Sequence, residues 1–122
     1  MDAGVILNTS TNVDSIRWLL DNPALKLIML LGINPGILGQ GIWKPLYEKV
    51  RYLKTYLQAA GRPDILVQVD GSVKKDNSAN LINSGFDVLV CGSSTIFRPQ
   101  DGPLHKTITD YRTSVNRALG GT

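Results

Sequence analysis

The 122-residue sequence has little of the chemistry that cross-links proteins or binds metals, because it holds one cysteine and one histidine. A single cysteine, Cys91, excludes an internal disulfide and is typical of a reducing compartment. The sequence also lacks an apolar run of 18 residues and a signal peptide, so we expect no membrane span and no membrane partner. These absences together predict a cytoplasmic protein.

Concentrated positive charge is also missing. The net charge is only +3, and the lysines and arginines are scattered along the chain. Nucleic-acid-binding domains usually carry a clustered basic stripe, so we expect no nucleic-acid partner. A mildly basic chain does suit a small phosphorylated substrate. Hydrophobic residues make up 43% and charged residues 19%, which is typical of one globular domain of this length.

Four short apolar runs are present, and each is followed by turn residues and a helical pattern. The runs cover residues 4–8, 25–34, 64–70 and 86–92. Runs of this kind predict strands that are buried on both faces of a parallel sheet. About 30 residues per unit is the repeat length of an eightfold barrel. We therefore predict an α/β fold over residues 1–122, namely a partial (β/α)8 TIM barrel of four βα units. A four-stranded open α/β sheet is the alternative.

The helical patterns carry recognisable start and stop signals. Thr11 and Asp14 have capping-box spacing, Pro45 suits a first helical position, and Asp76 could cap a short helix. Gly61 is placed to end the second helix. Two apolar faces follow from helical spacing. They comprise Leu46, Val50, Leu53 and Leu57, and then Leu104, Ile108, Tyr111, Val115 and Leu119.

The ends of the predicted strands carry the candidate functional residues. In a β/α barrel, functional groups lie where strands end and loops begin. Three such loops are rich in glycine and serine, whose N–H and O–H groups can hold an anion, although the same residues also serve simply as turn formers. Asp70 directly follows the apolar run of the third strand. Its carboxylate could transfer a proton or bind a metal, or it could be a turn or capping residue.

Taken in order, four motifs resemble the ribulose-phosphate 3-epimerase family. They are LNTSTNVDSI, NPGILGQGIWKPLYEKVRYLK, VDGSV and LVCGSSTIF. The resemblance covers about residues 4–119, matches the C-terminal half of that family, and is nearest to its allulose-6-phosphate 3-epimerase branch. It implies a full (β/α)8 barrel of which this chain supplies units five to eight. It also implies removal of the C3 proton of a ketose phosphate, with the ene-diolate held by a divalent metal.

The resemblance also assigns roles to individual residues. Asp70 would be one of two catalytic Asp residues and a ligand of the metal, which could be Zn, Fe, Mn or Co. The family's other metal ligands, two His and one Asp, and its second catalytic Asp belong to units one to four. Ile37 and Leu38 depart from the family pattern. The residues implied to contact the sugar phosphate are Gly36, Ile37, Leu38, Gly39, Gly71, Ser72, Gly92, Ser93 and Ser94.

Three interpretations remain open. The chain could be part of a ketose-phosphate 3-epimerase, acting on ribulose 5-phosphate or allulose 6-phosphate, that is inactive without the N-terminal half. It could be a non-catalytic module that binds sugar phosphates. It could also assemble as a homo-oligomer, in which two half-barrels close each other's edges.

Overall fold

A computed structural model describes residues 1–33, 41–92 and 95–120 of the chain. Strands and helices alternate along it, as the apolar runs predict. The strands are β1 (Ala3–Leu7), β2 (Leu25–Leu31), β3 (Leu66–Asp70) and β4 (Val88–Leu89). The α-helices are α1 (Leu46–Ala59), α2 (Ser78–Ser84) and α3 (Leu104–Ala118), and 3₁₀ helices span Val13–Leu19 and Pro99–Asp101.

The four strands form one parallel sheet in the order β1-β2-β3-β4. Neighbours in the sheet are therefore neighbours in sequence, and a helical segment lies between each strand and the next. This is the arrangement of consecutive units in a (β/α)8 barrel. It confirms the predicted α/β fold with four βα units. Among the described residues, no helix combines the length and apolarity needed to cross a membrane.

One face of the sheet is buried beneath helix α1. The helix turns its predicted apolar face toward the sheet, and all four residues of that face are at most 1% exposed. The core they form includes Ile28 and Leu30 of β2 and Val67 and Val69 of β3. Burial of this apolar surface is the main stabilising contribution to such a layer.

The opposite face of the sheet is only partly covered, which corrects the expectation of strands buried on both faces. Along β3, Val67 and Val69 are fully buried, whereas the alternating Leu66 is 49% exposed. Along β1, Ile6 is 61% exposed and the adjacent Leu7 is buried. We call this second surface the open face. The helices of the described chain pack on the other side of the sheet.

Two predicted helix caps are wrong. The first helical segment is a 3₁₀ helix whose cap is Asn12, whose side chain accepts a hydrogen bond from the Asp14 amide at 3.2 Å. The Asp14 carboxylate instead accepts a hydrogen bond from the Tyr52 hydroxyl at 2.9 Å. Asp76 does not cap α2, because Asn77 occupies that position. In both segments the residue at the cap position is an Asn next to the predicted capping residue: Asn12 instead of Thr11, and Asn77 instead of Asp76.

The last unit also departs from the prediction at its ends. Leu104 and Leu119 are exposed at the two ends of α3, while Tyr111, Val115 and the unpredicted Thr107 are buried. The buried hydroxyl of Thr107 is satisfied, because it donates to the Ile96 carbonyl at 2.7 Å. Strand β4 ends at Leu89, so Cys91 lies beyond it and is half-buried.

An arginine on the loop after α1 forms hydrogen bonds with the backbone near the start of β2. Arg62 donates hydrogen bonds to the carbonyls of Leu20, Asn22 and Leu25, close to the start of β2. It also forms an ion pair with Asp64 at 3.1 Å. Hydrogen bonds from Arg62 and Lys26 lower the pKa of Asp64 to about 2. The Arg62 contacts lie at the start of β2 and do not involve the carboxyl ends of the strands.

Candidate functional site

The carboxyl ends of three strands lie side by side at one edge of the sheet. The Gly32 amide, just after β2, donates to the Asp70 carbonyl at 2.7 Å. The Val90 amide, just after β4, donates to the Val69 carbonyl at 3.0 Å. The loops that follow β2, β3 and β4 therefore start next to one another. This is the edge at which α/β barrels place their functional groups.

Asp70 is the final residue of β3 and lies on the open face of the sheet. Side chains alternate along a strand, and Asp70 shares its face with Leu66 and Gln68 rather than with the buried valines. Its register partner on β2 is Leu31. The residue is half-buried and lies on the side of the sheet that α1 does not cover.

The turn after β3 requires an unusual backbone conformation, with positive φ at two consecutive residues. Gly71 has φ of +106° and Ser72 has φ of +57°, the left-handed region that side chains disfavour. The turn also packs closely against the loop after β2. A Cβ added at Gly32 would lie 2.4 Å from the Gly71 carbonyl oxygen, and one added at Gly71 would lie 3.0 Å from Ile33 Cγ1. Glycine at both positions is what allows the two loops to meet.

Asn77 holds this turn in place, a role that the sequence did not indicate. Its Nδ2 donates to the Ser72 carbonyl and its Oδ1 accepts from the Lys74 amide, both at 2.8 Å. The only sequence signal was an Asn just before a short helix, which is equally typical of an ordinary cap. The side chain thus fixes the backbone next to Asp70.

Replacing Asn77 with Ala should reduce the free energy of unfolding by about 1–2 kcal/mol, because two backbone groups lose their hydrogen-bond partner. It should also increase amide hydrogen exchange across residues 71–74. Urea denaturation and exchange measured by mass spectrometry check both effects. Asn83→Ala, an exposed position on α2, is the matched control. Equal stability losses in the two variants would contradict the role of Asn77.

The turn after β4 is organised around Gly92 and Thr95. The Gly92 carbonyl accepts hydrogen bonds from the amides of Thr95 and Ile96, both at 3.0 Å, and the Gly92 amide donates to Thr95 Oγ1 at 3.0 Å. Thr95 is buried, whereas a Cβ at Gly92 would meet open space. This side of Gly92 can therefore be approached closely.

A cleft of about 330 Å³ lies between the third and fourth loops. Lys74, Lys75 and Arg98 line it together with Asp76 and Asp101, which gives an excess of positive charge. Arg98 is ion-paired with Asp101 at 2.6 Å. The cleft would favour an anion near the turns after β3 and β4. Sequence reasoning missed it because its cations come from two separate loops.

The first loop is held by a lysine from α1. Lys49 Nζ donates to the Asn8 carbonyl at 2.8 Å and lies 5.6 Å from the ring centre of Trp43. Burial lowers the pKa of Lys49. Forty-one residues separate Lys49 from Asn8, so no local pattern could predict this contact.

The predicted site residues divide into two groups. Asp70, Gly71 and Ser72 follow one another at the end of β3, and Gly92 follows the neighbouring strand. Six others, Gly36, Ile37, Leu38, Gly39, Ser93 and Ser94, lie outside the described residues. The roles assigned to all ten stay predictions.

The His, Cys, Asp and Glu residues that the structure describes do not form a complete metal site. Within residues 1–33, 41–92 and 95–120, no three His, Cys, Asp or Glu residues cluster as cation ligands. The single histidine, His105, is exposed on α3. Asp70 could contribute one oxygen ligand at the sheet edge. One carboxylate does not satisfy the coordination of a divalent ion.

Comparison with known proteins gives a consistent family assignment. A family model described as "Ribulose-phosphate 3 epimerase family" matches residues 1–97. Ribulose-phosphate 3-epimerase of Bacillus subtilis is 36% identical over 92 residues, covering 75% of this chain and 42% of that protein. The same-named protein of Serratia marcescens is 33% identical over 97 residues, covering 80% and 45% respectively. That of Helicobacter pylori strain 26695 is 36% identical over 101 residues, covering 83% and 45%. The chain spans less than half the length of these curated relatives.

Proposed function

The chain belongs to the ribulose-phosphate 3-epimerase family, and from this premise we propose that it forms one half of a ketose-phosphate 3-epimerase site. The observation that carries the proposal is the position of Asp70. Asp70 is the last residue of β3, at the edge of the sheet where three loops begin. The turn that follows it packs closely on the loop after β2 because both Gly32 and Gly71 lack a side chain. Such a carboxylate is placed to act on a ligand held by those loops.

In the proposed reaction, Asp70 transfers a proton at C3 of the sugar on one face only. Inversion of a carbon centre requires removal of its proton from one face and return of a proton to the other. A single side chain on one strand cannot reach both faces, so a second acid–base group must come from elsewhere in the barrel. Epimerisation therefore needs barrel units beyond the four present here.

The phosphate of the substrate is proposed to bind at the third and fourth loops. Backbone N–H groups in a turn with left-handed residues can surround an anion, and Gly71 and Ser72 form such a turn. The excess positive charge of the neighbouring cleft would attract a phosphate dianion. Ribulose 5-phosphate and allulose 6-phosphate both carry a phosphate that could bind there, and both are candidate substrates.

A divalent metal, when bound in the completed barrel, would stabilise negative charge on the sugar oxygens. Asp70 is proposed as the one ligand that this chain supplies. The two histidine ligands implied by the family resemblance cannot come from a chain with a single histidine. This same observation favours the second candidate function, a module that binds sugar phosphates without turning them over.

Calorimetry combined with an epimerase assay tests the proposal. We expect the chain to release or absorb heat with ribulose 5-phosphate but not with unphosphorylated ribulose, and to show no turnover alone. Turnover should appear when the N-terminal half of the Bacillus subtilis relative and a divalent metal are added. Binding without restored turnover would favour the non-catalytic module. Absence of any heat, or turnover by the chain alone, would contradict the proposed half-site.

A further inference from the structure

Helix α3 is joined by side-chain hydroxyls to the segments that follow both β3 and β4. Thr107 and Tyr111 lie four residues apart, so they share the helix face that packs against the rest of the chain, and both are buried. The Thr107 hydroxyl donates to the Ile96 carbonyl at 2.7 Å, and the Tyr111 hydroxyl lies 2.6 Å from Ser78 Oγ. One face of one helix therefore contacts both of the segments that the proposed phosphate site requires.

The contact between Tyr111 and Ser78 extends to the turn after β3. The Ser78 hydroxyl donates its only proton to the Lys74 carbonyl, so Tyr111 is the donor in its hydrogen bond with Ser78. Burial raises the pKa of Tyr111 to about 12, which keeps the phenol protonated and able to donate at neutral pH. The Lys74 amide donates to Asn77, whose side chain donates to the Ser72 carbonyl. A continuous series of hydrogen bonds thus leads from α3 to the left-handed turn.

The contact between Thr107 and Ile96 extends to the turn after β4. Ile96 bonds in both directions, because its carbonyl accepts from Thr107 and its amide donates to the Gly92 carbonyl at 3.0 Å. The Thr107 hydroxyl also approaches the Leu104 carbonyl of its own helix, at the longer distance of 2.9 Å. Among the described residues, no buried side-chain nitrogen or oxygen lacks a hydrogen-bond partner. Buried networks that are fully satisfied hold their members rigidly in one arrangement.

We propose that Thr107 and Tyr111 are positioning residues that fix the separation of the two turns on which the phosphate group of the substrate would rest. Four residues along a helix correspond to about 6 Å, so α3 holds its two contacts at a set spacing. Backbone N–H groups bind an anion best when they already have the right geometry before the ligand arrives. Neither side chain contacts the ligand in this role. The role rests on the proposed function, since it requires that a phosphate binds at the two turns.

Calorimetry with inorganic phosphate and with ribulose 5-phosphate tests the proposal on variants that each lose one hydroxyl. Tyr111→Phe keeps the buried ring and removes only the donor to Ser78, and Thr107→Val keeps the shape of the side chain. Each variant should bind both ligands about tenfold more weakly, the change in an equilibrium constant that one lost buried hydrogen bond corresponds to. Tyr56→Phe, the same change at a half-buried tyrosine of α1, is the matched control and should leave both affinities unchanged.

Three further variants separate positioning from a general loss of stability. Ser78→Ala interrupts the same series of hydrogen bonds as Tyr111→Phe, so the two changes together should weaken binding no more than the larger of them alone. Thr107→Val acts on the other turn, and its effect should add to that of Tyr111→Phe. Thr107→Ser keeps the hydroxyl and should retain the original affinity. A purely structural contribution would instead destabilise the variants without changing the affinity of the folded protein.

Amide exchange reports on the two turns in the absence of a ligand. Tyr111→Phe should accelerate exchange at residues 71–74, and Thr107→Val should accelerate it at residues 95–97. If the unaltered chain binds phosphate and the variants bind it equally well, the positioning role is wrong and the proposed function stands. If the unaltered chain binds neither ligand, the proposed phosphate site and the positioning role are both contradicted. Unchanged exchange at both turns would overturn the positioning role even if the affinity fell.

Discussion

Replacing Asp70 with Asn should lower epimerase turnover by at least about 10³-fold in a barrel completed with the N-terminal half, because positioned acid–base groups contribute 10²–10⁴-fold to rate. The amide has nearly the shape of the carboxylate but cannot accept the C3 proton. Binding of the ketose phosphate should change by less than about tenfold, since the loops that hold the phosphate are unaltered. The expected signature is therefore a loss in kcat with little change in affinity.

Solvent exchange at C3 makes this test specific. In D2O, the completed barrel should incorporate deuterium at C3 of the substrate, and Asp70→Asn should abolish incorporation from one of the two faces. Metal content measured in parallel separates loss of the base from loss of a ligand. Asp76→Asn, an exposed carboxylate in the nearby cleft, is the matched control. Turnover above a tenth of the original in Asp70→Asn would contradict the role of this residue.

Replacing Gly32 with Ala should reduce the free energy of unfolding by about 3 kcal/mol, at the upper end of the cost of overpacking. The added Cβ would lie 2.4 Å from the Gly71 carbonyl oxygen, and backbone on both sides prevents an easy adjustment. The same displacement would move the turn that follows Asp70. We therefore expect ketose-phosphate binding to weaken along with stability.

Urea denaturation of Gly32→Ala and Gly41→Ala provides the comparison. A Cβ at Gly41 would meet nothing within 4 Å, so this control should change stability by less than about 0.5 kcal/mol, or raise it slightly. If Gly32→Ala proves as stable as the control, the close contact between the two loops does not exist in solution.

Local and periodic features were predictable from the sequence. The face of α1 followed from helical spacing, because one amphipathic helix needs only one apolar stripe to pack on a sheet. The four βα units followed from apolar runs that alternate with turn residues. The position of Asp70 at a strand end needed no more than the boundary of its own run. The caps were less predictable, since Thr11, Asn12 and Asp14 are all residue types that can bond the same backbone groups, and Asn12 does so in the structure.

The features that shape the site depended on contacts distant in sequence. Lys49 reaches the first loop, the Gly32 amide bonds the Asp70 carbonyl, and the cleft joins cations from two loops. The sequence alone determined the order of strands and helices and which carboxylate ends β3, because these follow from the periodicity of neighbouring residues. Only the tertiary structure decided that Gly32 and Gly71, from two different loops, lie against each other and that one face of the sheet stays open. Such contacts depend on packing between segments that are distant in sequence, and they cannot be predicted from local periodicity.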